Sequence, residues 1–462
     1  MPDFDLLVVG GGPAGYSAAL RAAELGARAA LVEAHTPGGA CVHYNCVPSN
    51  VLLDTVRTSL DARALGLLGV LSPEPEPHFG RALARQAQLV KVLAEGIRNL
   101  LKNQRVEVVH GRAALTSPAT ASVHLVEGGR DELSAKAVVV ATGARTEPPS
   151  IPGLPPEVAL TSDQALALSE PPASLLVLGG GPAGLAFTLE YGFLFGVFGS
   201  QVTVVEEGSH PLPGEDADLA SYLVQSLAAA GVRVLTGSKV KGVSAGEGRR
   251  VEVKTPDGTV TVPADVVLAP DQRRPYFEGL GLEGLGLDLS SGRVPVDERC
   301  ATAVAGLYAA GDVTGGIMLT HAALQQGRVA AENALGLDSR VDLRHLPRCM
   351  HTQPEYAAVG LTEAQAREKG RSVRVGMADL ANNARAVALG GCEGAVKIVA
   401  DARTGEVLGV HILGPDASEL IGQAVLAMRL EATVHDLAAA VHWHPSLSEA
   451  LTEAARRALP KG

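Results

Sequence analysis

The stretch DLLVVGGGPAG, residues 5–15, decides the fold of this chain. An apolar strand runs directly into glycines with the spacing G-x-G-x-x-G, and an alanine-rich helical segment and a second apolar strand ending at Glu33 follow. The glycines permit a tight turn and the close approach of a pyrophosphate, which the positive end of the helix stabilises. The closing carboxylate can accept hydrogen bonds from ribose hydroxyls. The pattern predicts a Rossmann-like βαβ unit that binds a dinucleotide.

A second copy of this pattern occupies residues 174–206. The strand LLVL leads into the loop GGGPAG at residues 179–184, and a helical segment and the strand VTVV ending at Glu206 complete the repeat. A single Gly-rich loop is weak evidence, because glycines also serve helix–strand packing. Two copies, each between a strand and a helix and each closed by a carboxylate, predict two dinucleotide-binding units.

Length and composition are those of a globular protein with several domains. The 462 residues suggest about two to four domains. Hydrophobic residues make up 46% and charged residues 19%, which is an ordinary balance. The net charge of −11 comes without a basic cluster, which argues against nucleic acid or an anionic membrane surface as a partner.

The sequence also favours a cytoplasmic location. It contains no apolar run of the length that crosses a membrane and no apparent cleavable leader. The cysteines do not suggest a secreted disulfide framework, because they are few and mostly isolated. They are Cys41, Cys46, Cys300, Cys349 and Cys392, and we interpret the last three as ordinary core or surface residues.

Cys41 and Cys46 are the residues most suggestive of chemistry. They lie in the run CVHYNCVPSN, residues 41–50, shortly after the first Gly-rich loop. Thiolates are the nucleophiles of disulfide exchange, so two thiols beside a dinucleotide site form a candidate redox dithiol. We predict no metal site.

The remainder of the chain has three landmarks. A proline-rich segment at residues 147–153 separates the two repeats. The segment AGLYAAGD, residues 305–312, predicts a short strand that ends at Gly311-Asp312 and is followed by a helix over about 321–335. Beyond about residue 346 the pattern changes to short strands and amphipathic helices, which indicates a separate α+β domain. Those elements are predicted at 395–400, 407–412, 419–430 and 448–459.

With these motifs together, the chain resembles the flavoprotein disulfide reductases, which are pyridine nucleotide-disulfide oxidoreductases, and among them the dihydrolipoamide dehydrogenases. The resemblance covers nearly the whole length and keeps the family's motif order. Its motifs are the two Gly-rich loops, Cys-x4-Cys-Val-Pro-Ser at 41–49, Ala141-Thr142-Gly143, Gly311-Asp312, Thr352-Gln353-Pro354-Glu355 and HPSLSE at 444–449.

The resemblance implies an α/β fold with two Rossmann-like dinucleotide-binding domains, for FAD and NAD, and a C-terminal α+β dimerisation domain. The implied boundaries are 1–150 for the FAD domain, 151–271 for the NAD domain, 272–345 for a central domain returning to the FAD, and 346–462 for the dimerisation domain.

The cofactor-binding residues implied by the resemblance fall into three groups. The ADP half of FAD is expected at Gly10, Gly12, Gly15 and Glu33, and the pyridine nucleotide at Gly179, Gly181, Gly184 and Glu206. The other residues implied to bind a cofactor are Gly39, Asn50, Ala113, Thr142, Gly143, Val240, Asp312 and Thr320. Glu206 and its neighbour Glu207 should repel a 2′-phosphate, which favours NAD over NADP.

The resemblance also implies catalytic roles. Cys41 would exchange with the disulfide substrate, and Cys46 would contact the flavin. His444 would be the base, oriented by Glu449, since an imidazole beside a carboxylate is suited to proton transfer near neutral pH. In this family the histidine serves the cysteine pair of the partner subunit, so a homodimer is expected.

The sequence departs from the dihydrolipoamide dehydrogenases at Asn50, where they carry a lysine that pairs with a glutamate on the helix after the second Gly-rich loop. That glutamate position is taken here by Ala186, and we expect Glu190, one helical turn further on, to lie too far away to replace it. Removing both partners of a buried ion pair can be nearly neutral, whereas removing one leaves an uncompensated charge. We therefore expect a folded protein that binds FAD and is reduced by NADH more slowly than ordinary members.

Three functions remain open from the sequence. The first is a dihydrolipoyl dehydrogenase that uses NAD and serves a lipoyl-bearing protein, for example in a 2-oxoacid dehydrogenase complex. The second is a divergent NAD(P)H-dependent flavoprotein reductase of another disulfide, a quinone or a metal ion. The third is a flavin-binding subunit with impaired hydride transfer, against which the retained cysteines, His444 and Glu449 argue.

Overall fold

The structure, a computed structural model, describes most of the chain. It leaves out residues 64, 66–68, 71–76, 148–150, 152–153, 155–158, 180–181, 211, 213, 230, 244–248, 271, 391–392 and 461–462, and the side chains of residues 182–188 and 229. The predictions for Gly181 and Cys392, and for the side chain of Ala186, therefore lie outside the described residues.

The helices and strands are numbered in chain order. The helices are α1 (Pro13–Glu24), α2 (Gly39–His43), α3 (Cys46–Arg63), α4 (Phe79–Asn103), α5 (Ser162–Leu166), α6 (Pro182–Val197), α7 (Ala217–Ala229), α8 (Thr320–Ala334), α9 (Glu363–Glu368), α10 (Ala384–Ala388), α11 (Ala417–Arg429), α12 (Val434–Ala439) and α13 (Glu449–Ala458). The strands are β1 (Phe4–Val9), β2 (Ala29–Glu33), β3 (Glu107–Ser117), β4 (Thr120–Leu125), β5 (Arg130–Val140), β6 (Ala144–Glu147), β7 (Ala159–Leu160), β8 (Ser174–Leu178), β9 (Gln201–Val205), β10 (Arg233–Leu235), β11 (Lys239–Val243), β12 (Arg250–Thr255), β13 (Gly258–Pro263), β14 (Val266–Leu268), β15 (Gln272–Pro275), β16 (Leu307–Ala309), β17 (Arg348–Met350), β18 (Glu355–Gly360), β19 (Val373–Asp379), β20 (Ala395–Asp401) and β21 (Val407–Gly414).

The first of two compact units comprises residues 1–49, 84–147 and 272–343. Its parallel strands follow the order β3-β2-β1-β5-β16, and β4 joins β3 and β5 through antiparallel pairing. Helix α1 packs closely on α8, because a Cβ at Gly327 would lie 2.0 Å from the carbonyl oxygen of Ala14. The buried strands are rich in Val, Leu and Ala, as expected of a parallel sheet covered on both faces.

The second unit comprises residues 50–83, 148–271 and 344–462. Its parallel sheet has the order β10-β9-β8-β14-β7, and β11, β12 and β13 form a small antiparallel sheet. One apolar core joins α3 residues Leu52 and Val56 to α6 residues Leu189 and Tyr191 and to strands β8 and β9. The apolar side chains of α3, α6, β8 and β9 are thus buried against one another.

The C-terminal part of the second unit is an antiparallel sheet of order β17-β18-β21-β20-β19. Its core, which is shared with α11 and α13, includes Ile398, Val410, Ile412, Leu451 and Ala454. The elements predicted here agree with the structure to within about two residues at each end, the uncertainty usual for helix boundaries.

The predicted fold class is confirmed: two parallel dinucleotide-type sheets and a C-terminal α+β part are present. The four-domain division stays a prediction. In the structure, residues 272–343 belong to the same compact unit as the first Rossmann repeat, since β16 extends its parallel sheet.

Candidate active site

The first Gly-rich loop connects β1 to α1 under tight steric limits. A Cβ at Gly15 would lie 1.8 Å from the carbonyl oxygen of Gly10, and a Cβ at Gly10, whose φ is +103°, would lie 2.4 Å from the carbonyl oxygen of Ala141. The Glu33 carboxylate at the end of β2 accepts a hydrogen bond from the backbone N–H of Gly11 at 2.6 Å. The loop is therefore fixed at the carboxyl edge of the sheet, where dinucleotides bind in such folds.

The space beside this loop fits the diphosphate part of FAD. The nearest atom to a Cβ added at Gly12 would be the Gly39 Cα at 3.8 Å. A Cβ added at Gly143, where φ is +73°, would have no atom of the described residues within 4 Å beyond its chain neighbours. Helix α1 carries no side-chain hydrogen bond on its N-terminal amides. Free amides at a helix N-terminus are suited to bind phosphate.

Replacing Glu33 with alanine is expected to weaken FAD binding about 10- to 100-fold. The carboxylate also accepts the backbone N–H of His35 at 2.8 Å, so the variant loses both hydrogen bonds that hold the loop in place. A tenfold to hundredfold loss of affinity corresponds to about 1.4–2.7 kcal/mol. Titration of the FAD-free protein with FAD, followed by flavin fluorescence, measures the change. Glu24→Ala, at the exposed end of α1, is the control, and equal affinities in the two variants would contradict the prediction.

The dithiol segment packs directly against the first Gly-rich loop. Cys41 lies within α2, and Cys46 is the first residue of α3. A Cβ at Gly39 would lie 2.6 Å from the Gly12 Cα, so the backbone of α2 reaches the loop because position 39 is glycine. The Cys46 Sγ lies 3.4 Å from the Thr320 Oγ1 at the start of α8. Both thiols, the loop and Thr320 therefore belong to one site in the first unit.

The two thiols differ strongly in acidity. A hydrogen bond between them is the main cause: it lowers the pKa of Cys46 to about 6 and raises the pKa of Cys41 well above its usual range. Burial raises the pKa of both groups, while Thr320 and the guanidinium of Arg273 lower them. Near neutral pH the reduced pair therefore holds a Cys46 thiolate next to a Cys41 thiol.

The reduced protein is expected to react with iodoacetamide fastest at Cys46, with a rate that rises through about pH 6 and is constant above it. The depressed pKa leaves the thiolate present above pH 6 and removes it as the pH falls below. Burial raises the pKa of Cys349 to about 12, so this second thiol should react slowly at pH 7. Mass spectrometry of the alkylated peptides over pH 4–9 measures both rates. Thr320→Val should move the inflection of Cys46 upward, and an inflection above pH 8 in the wild type would refute the assignment.

Arg273 is a site residue that the sequence did not identify. Its Nη2 lies 2.9 Å from the Oδ2 of Asp312, and its buried Nε has no hydrogen-bond partner among the described residues. Burial raises the pKa of Asp312, and Arg273 opposes that shift. Two adjacent arginines in β15 gave a weak signal, but only the pairing of β15 with β6 brings one of them to Asp312.

Three further expected cofactor residues lie in the first unit. Thr142 donates its hydroxyl to the carbonyl oxygen of Tyr276 at 2.5 Å, which fixes the turn before Gly143. Ala113 is 9% exposed in β3 and pairs with Val123 of β4. The structure thus places the turn at one end of β5 and Ala113 within the adjoining antiparallel extension.

The second Gly-rich loop lies in the second unit with an equivalent carboxylate. The backbone N–H of Gly179 donates to the carbonyl oxygen of Val205 at 2.8 Å, and Gly184 lies within α6. Glu206 is 4% exposed; its Oε1 accepts the N–H of Gly208 at 2.6 Å, and its buried Oε2 has no partner in the described part of the chain. An unpartnered buried carboxylate oxygen fits a ribose hydroxyl, so the residues suit NAD.

Val240 and Glu207, which the sequence also suggested for the pyridine-nucleotide site, lie in the second unit as well. Val240 lies in β11, paired with Val253 of β12. Glu207 is exposed and forms an ion pair with Lys239 at 3.4 Å. Its carboxylate thus has a neighbouring ammonium, which leaves Glu206 as the carboxylate that stands against a 2′-phosphate.

His444 and Glu449 meet in the C-terminal part of the second unit. The His444 Nδ1 lies 2.9 Å from the Glu449 Oε1, and the Oε2 accepts the backbone N–H of Ser446 at 2.9 Å. The Ser446 amide and His444 lower the pKa of this carboxyl group. The imidazole is 73% exposed, and the neighbouring Trp443 is 81% exposed. The ring is therefore oriented by its own chain and accessible to another.

Asn50 lies on α3 and Glu190 lies on α6. Glu190 is the carboxylate that we expected, from the sequence, to lie too far away to replace a glutamate at position 186. Asn50 is exposed on α3, one turn after Cys46. Glu190 on α6 is only 5% exposed and accepts the backbone N–H of His351 at 2.6 Å, with the His351 Nδ1 at 3.2 Å. Glu190 is therefore a buried carboxylate of α6 whose partner is His351.

Comparison with known proteins decides the family. Residues 4–327 match the family model described as pyridine nucleotide-disulphide oxidoreductase, and residues 346–455 match its dimerisation domain. The chain belongs to the pyridine nucleotide-disulphide oxidoreductases. It is thus an enzyme of the flavoprotein disulfide oxidoreductase type, with FAD and a pyridine nucleotide as cofactors, and its C-terminal part is the dimerisation domain of the family.

Similar proteins cover the chain from end to end. Dihydrolipoyl dehydrogenase of Bacillus subtilis is 35% identical over 98% of this chain and 97% of its own length. Dihydrolipoyl dehydrogenase of Thermus scotoductus is 38% identical with the same coverages, and leghemoglobin reductase of Glycine max is 38% identical over 98% and 87%. Among solved structures, LpdA from Mycobacterium tuberculosis matches with a TM-score of 0.86 at 34% identity, over 99% of this chain and 100% of that one.

Two other kinds of feature are absent from the described residues. No helix there is both long and apolar enough to span a bilayer. The described histidine, cysteine and acidic side chains include no group of three or more arranged to hold a metal ion.

Proposed function

We propose that this oxidoreductase is a dihydrolipoyl dehydrogenase, which oxidises the dihydrolipoyl group of a carrier protein and reduces NAD⁺. The observation that carries the proposal is the pair of thiols of opposite acidity on a segment packed against the first Gly-rich loop. Full-length similarity to dihydrolipoyl dehydrogenases supports it.

In this proposal each residue of the dithiol site has a separate task. Starting from a Cys41–Cys46 disulfide, a substrate thiolate attacks the Cys41 Sγ, and Cys46 leaves as a thiolate stabilised by Thr320 and Arg273. The second substrate thiol loses its proton to His444 of the partner subunit and displaces Cys41, which releases the cyclic disulfide. Reoxidation of the Cys41–Cys46 pair to the disulfide releases two electrons, for which bound FAD would be the acceptor and NAD⁺ the final oxidant.

The proposal includes the partners and the location. His444 is exposed and held by Glu449, which suits a base that serves the other subunit of a homodimer. The lipoyl-bearing partner would belong to a 2-oxoacid dehydrogenase complex in the cytoplasm. The acidic balance of the chain agrees with the absence of nucleic acid and membrane from this set.

The decisive experiment is NADH-dependent reduction of lipoamide, together with the reverse oxidation of dihydrolipoamide by NAD⁺. Turnover with lipoamide that exceeds turnover with oxidised glutathione and with a benzoquinone supports the proposal. Flavin reduction by NADH with no lipoamide turnover would overturn it. His444→Gln should abolish lipoamide turnover while leaving the reduction of FAD by NADH unchanged, and His435→Gln on the exposed start of α12 is the control.

A second candidate is a reductase of another disulfide, a quinone or a metal ion. The observation that favours it lies between the cysteines, where Tyr44 is 54% exposed and His43 directs its Nε2 at the carbonyl oxygen of Thr36, 3.1 Å away. An exposed aromatic ring three residues after Cys41 suits a flat acceptor more than a flexible lipoyl arm. RclA of Escherichia coli, solved as a Cu(II) complex, matches this chain with a TM-score of 0.84 at 29% identity.

A further inference from the structure

Arg273 holds a positive charge in the dithiol site, and its contact with Asp312 engages only part of the guanidinium. The Arg273 Nη2 lies 2.9 Å from the Asp312 Oδ2, while the buried Nε has no hydrogen-bond partner among the described residues. The two side chains are 26% and 14% exposed. A guanidinium can bind a carboxylate through two parallel N–H groups, so this single contact leaves part of its binding capacity unused.

The ion pair joins β15 to the segment that leads into α8. Arg273 is fixed in β15 by the pairing of that strand with β6. The residue before Asp312 donates its backbone N–H to the Gln326 Oε1 of α8 at 2.8 Å. The same helix begins at Thr320, whose Oγ1 lies 3.4 Å from the Cys46 Sγ. The ion pair and the dithiol therefore belong to one site, and all of these residues lie in the first unit.

The titratable and charged groups around Cys46 come from several elements. Tyr16 faces it from α1, Cys41 from α2, Thr320 from α8 and Arg273 from β15. The hydrogen bond with Cys41 is the main cause that lowers the pKa of Cys46 to about 6, and Thr320 and Arg273 add to it while burial opposes it. Arg273 is the cation of this set, and it acts on the sulfur through its charge.

We propose that the ion pair of Arg273 with Asp312 sets the reduction potential of the Cys41–Cys46 disulfide. Reduction breaks the S–S bond, takes up two electrons and one proton, and leaves Cys41 as a thiol and Cys46 as a thiolate. The guanidinium attracts this new negative charge and so stabilises the reduced state, whereas the Asp312 carboxylate limits the stabilisation. Arg273 is thus a positioning residue that acts through the charge of Cys46. This role depends on the dithiol cycle of the proposed function and not on the lipoyl substrate.

The test is the equilibrium of the FAD-loaded protein with mixtures of reduced and oxidised dithiothreitol. Each mixture is incubated until the reduced fraction is constant. Acid precipitation, trapping with N-ethylmaleimide and mass spectrometry of the peptide that contains Cys41 and Cys46 then give that fraction. Lipoamide turnover is not involved, so failure of the lipoamide assay leaves this result unaffected.

Two variants should move the equilibrium in opposite directions at pH 7.5. Arg273→Met should lower the equilibrium constant for reduction on the order of tenfold, which is about 30 mV for a two-electron couple. Asp312→Asn should raise the constant, because the guanidinium is then unopposed. Arg274→Met is the matched control and should equal the wild type. Arg274 is the next residue of β15, and its side chain is 69% exposed and pairs with Glu147 at 2.8 Å.

The pH dependence separates an effect of charge from a disturbance of the fold. The lowered pKa keeps reduced Cys46 a thiolate above about pH 6, and below that pH it becomes a neutral thiol that a guanidinium does not stabilise. The constants of the wild type and Arg273→Met should therefore be nearly equal at pH 5 and differ at pH 7.5. At each pH the dithiothreitol couple is the same for both proteins.

Three results would overturn the proposal. They are a wild-type constant in Arg273→Met at pH 7.5, an equal loss in that variant at pH 5 and pH 7.5, and shifts of the same sign in Arg273→Met and Asp312→Asn. Flavin content and the melting temperature establish that each variant is folded and holds FAD. Arg273→Met with its pH dependence remains decisive if Asp312→Asn does not retain FAD.

Discussion

Replacing Cys46 with serine is expected to reduce disulfide turnover on the order of a thousandfold or more while FAD remains bound. Cys46 is the thiolate of the reduced pair, and its Sγ contacts Thr320 at 3.4 Å. Serine is similar in shape but cannot form or release a disulfide, and loss of a covalent nucleophile has effects of this size. Steady-state lipoamide turnover and the flavin spectrum of the purified variant measure the two effects.

The control for this prediction is Cys349→Ser, which removes the thiol of β17 in the second unit. It should retain the wild-type rate. Cys41→Ala should also lose turnover but for another reason: it removes the hydrogen-bond donor that is the main cause of the low Cys46 pKa. In that variant the alkylation inflection of Cys46 should move above pH 6. A Cys46→Ser enzyme with more than a tenth of the wild-type rate would rule out the dithiol cycle.

Replacing Lys397 with methionine is expected to lower the free energy of unfolding by about 3–5 kcal/mol, the usual cost of leaving one member of a buried ion pair unpaired. The Lys397 Nζ lies 2.8 Å from the Asp216 Oδ2, and both side chains are only 3% exposed. It also lies 2.6 Å from the Asp218 Oδ2 and 3.3 Å from the Glu363 Oε2. Burial opposes the ammonium charge, yet the hydrogen bonds to Asp216 and Asp218 raise the pKa of Lys397.

Thermal and urea unfolding of the FAD-loaded protein measure this change. Lys239→Met is the matched control, because Lys239 and Glu207 form an ion pair at 3.4 Å with both side chains at least 66% exposed. The control should change stability by less than about 1 kcal/mol. The double variant Lys397→Met with Asp216→Leu should recover part of the loss, since it removes both buried charges. Similar losses in Lys397→Met and Lys239→Met would show that the buried pair has no special weight.

The sequence was sufficient for the fold class. Local patterns carry that information: a strand, a G-x-G-x-x-G loop and a helix form a βαβ unit wherever they occur, and each of the two copies here is a strand–helix–strand segment of a parallel sheet. Glu33 and Glu206 hold equivalent positions at the ends of β2 and β9, and each accepts a backbone amide. Short-range geometry of this kind can be read along the chain.

The sequence was not sufficient for electrostatic contacts between charged residues that lie far apart along the chain. Arg273 reaches Asp312 through the pairing of β15 with β6, and no local pattern announces that contact. Glu190 was set aside because helical spacing separates it from position 186. The structure gives it a partner, His351, from a segment more than 150 residues away.

Cys41 and Cys46 show which properties the sequence determined and which the tertiary structure decided. Their spacing and their place after a Gly-rich loop determined, from sequence alone, that a redox dithiol should be sought there. Which thiol is the anion was decided only by the tertiary structure, because the pKa of each sulfur depends on burial, on the hydrogen bond between the two and on groups from α8 and β15. Covalent order fixes which residues are present, whereas electrostatic energy depends on distances through space, and folding alone sets those distances.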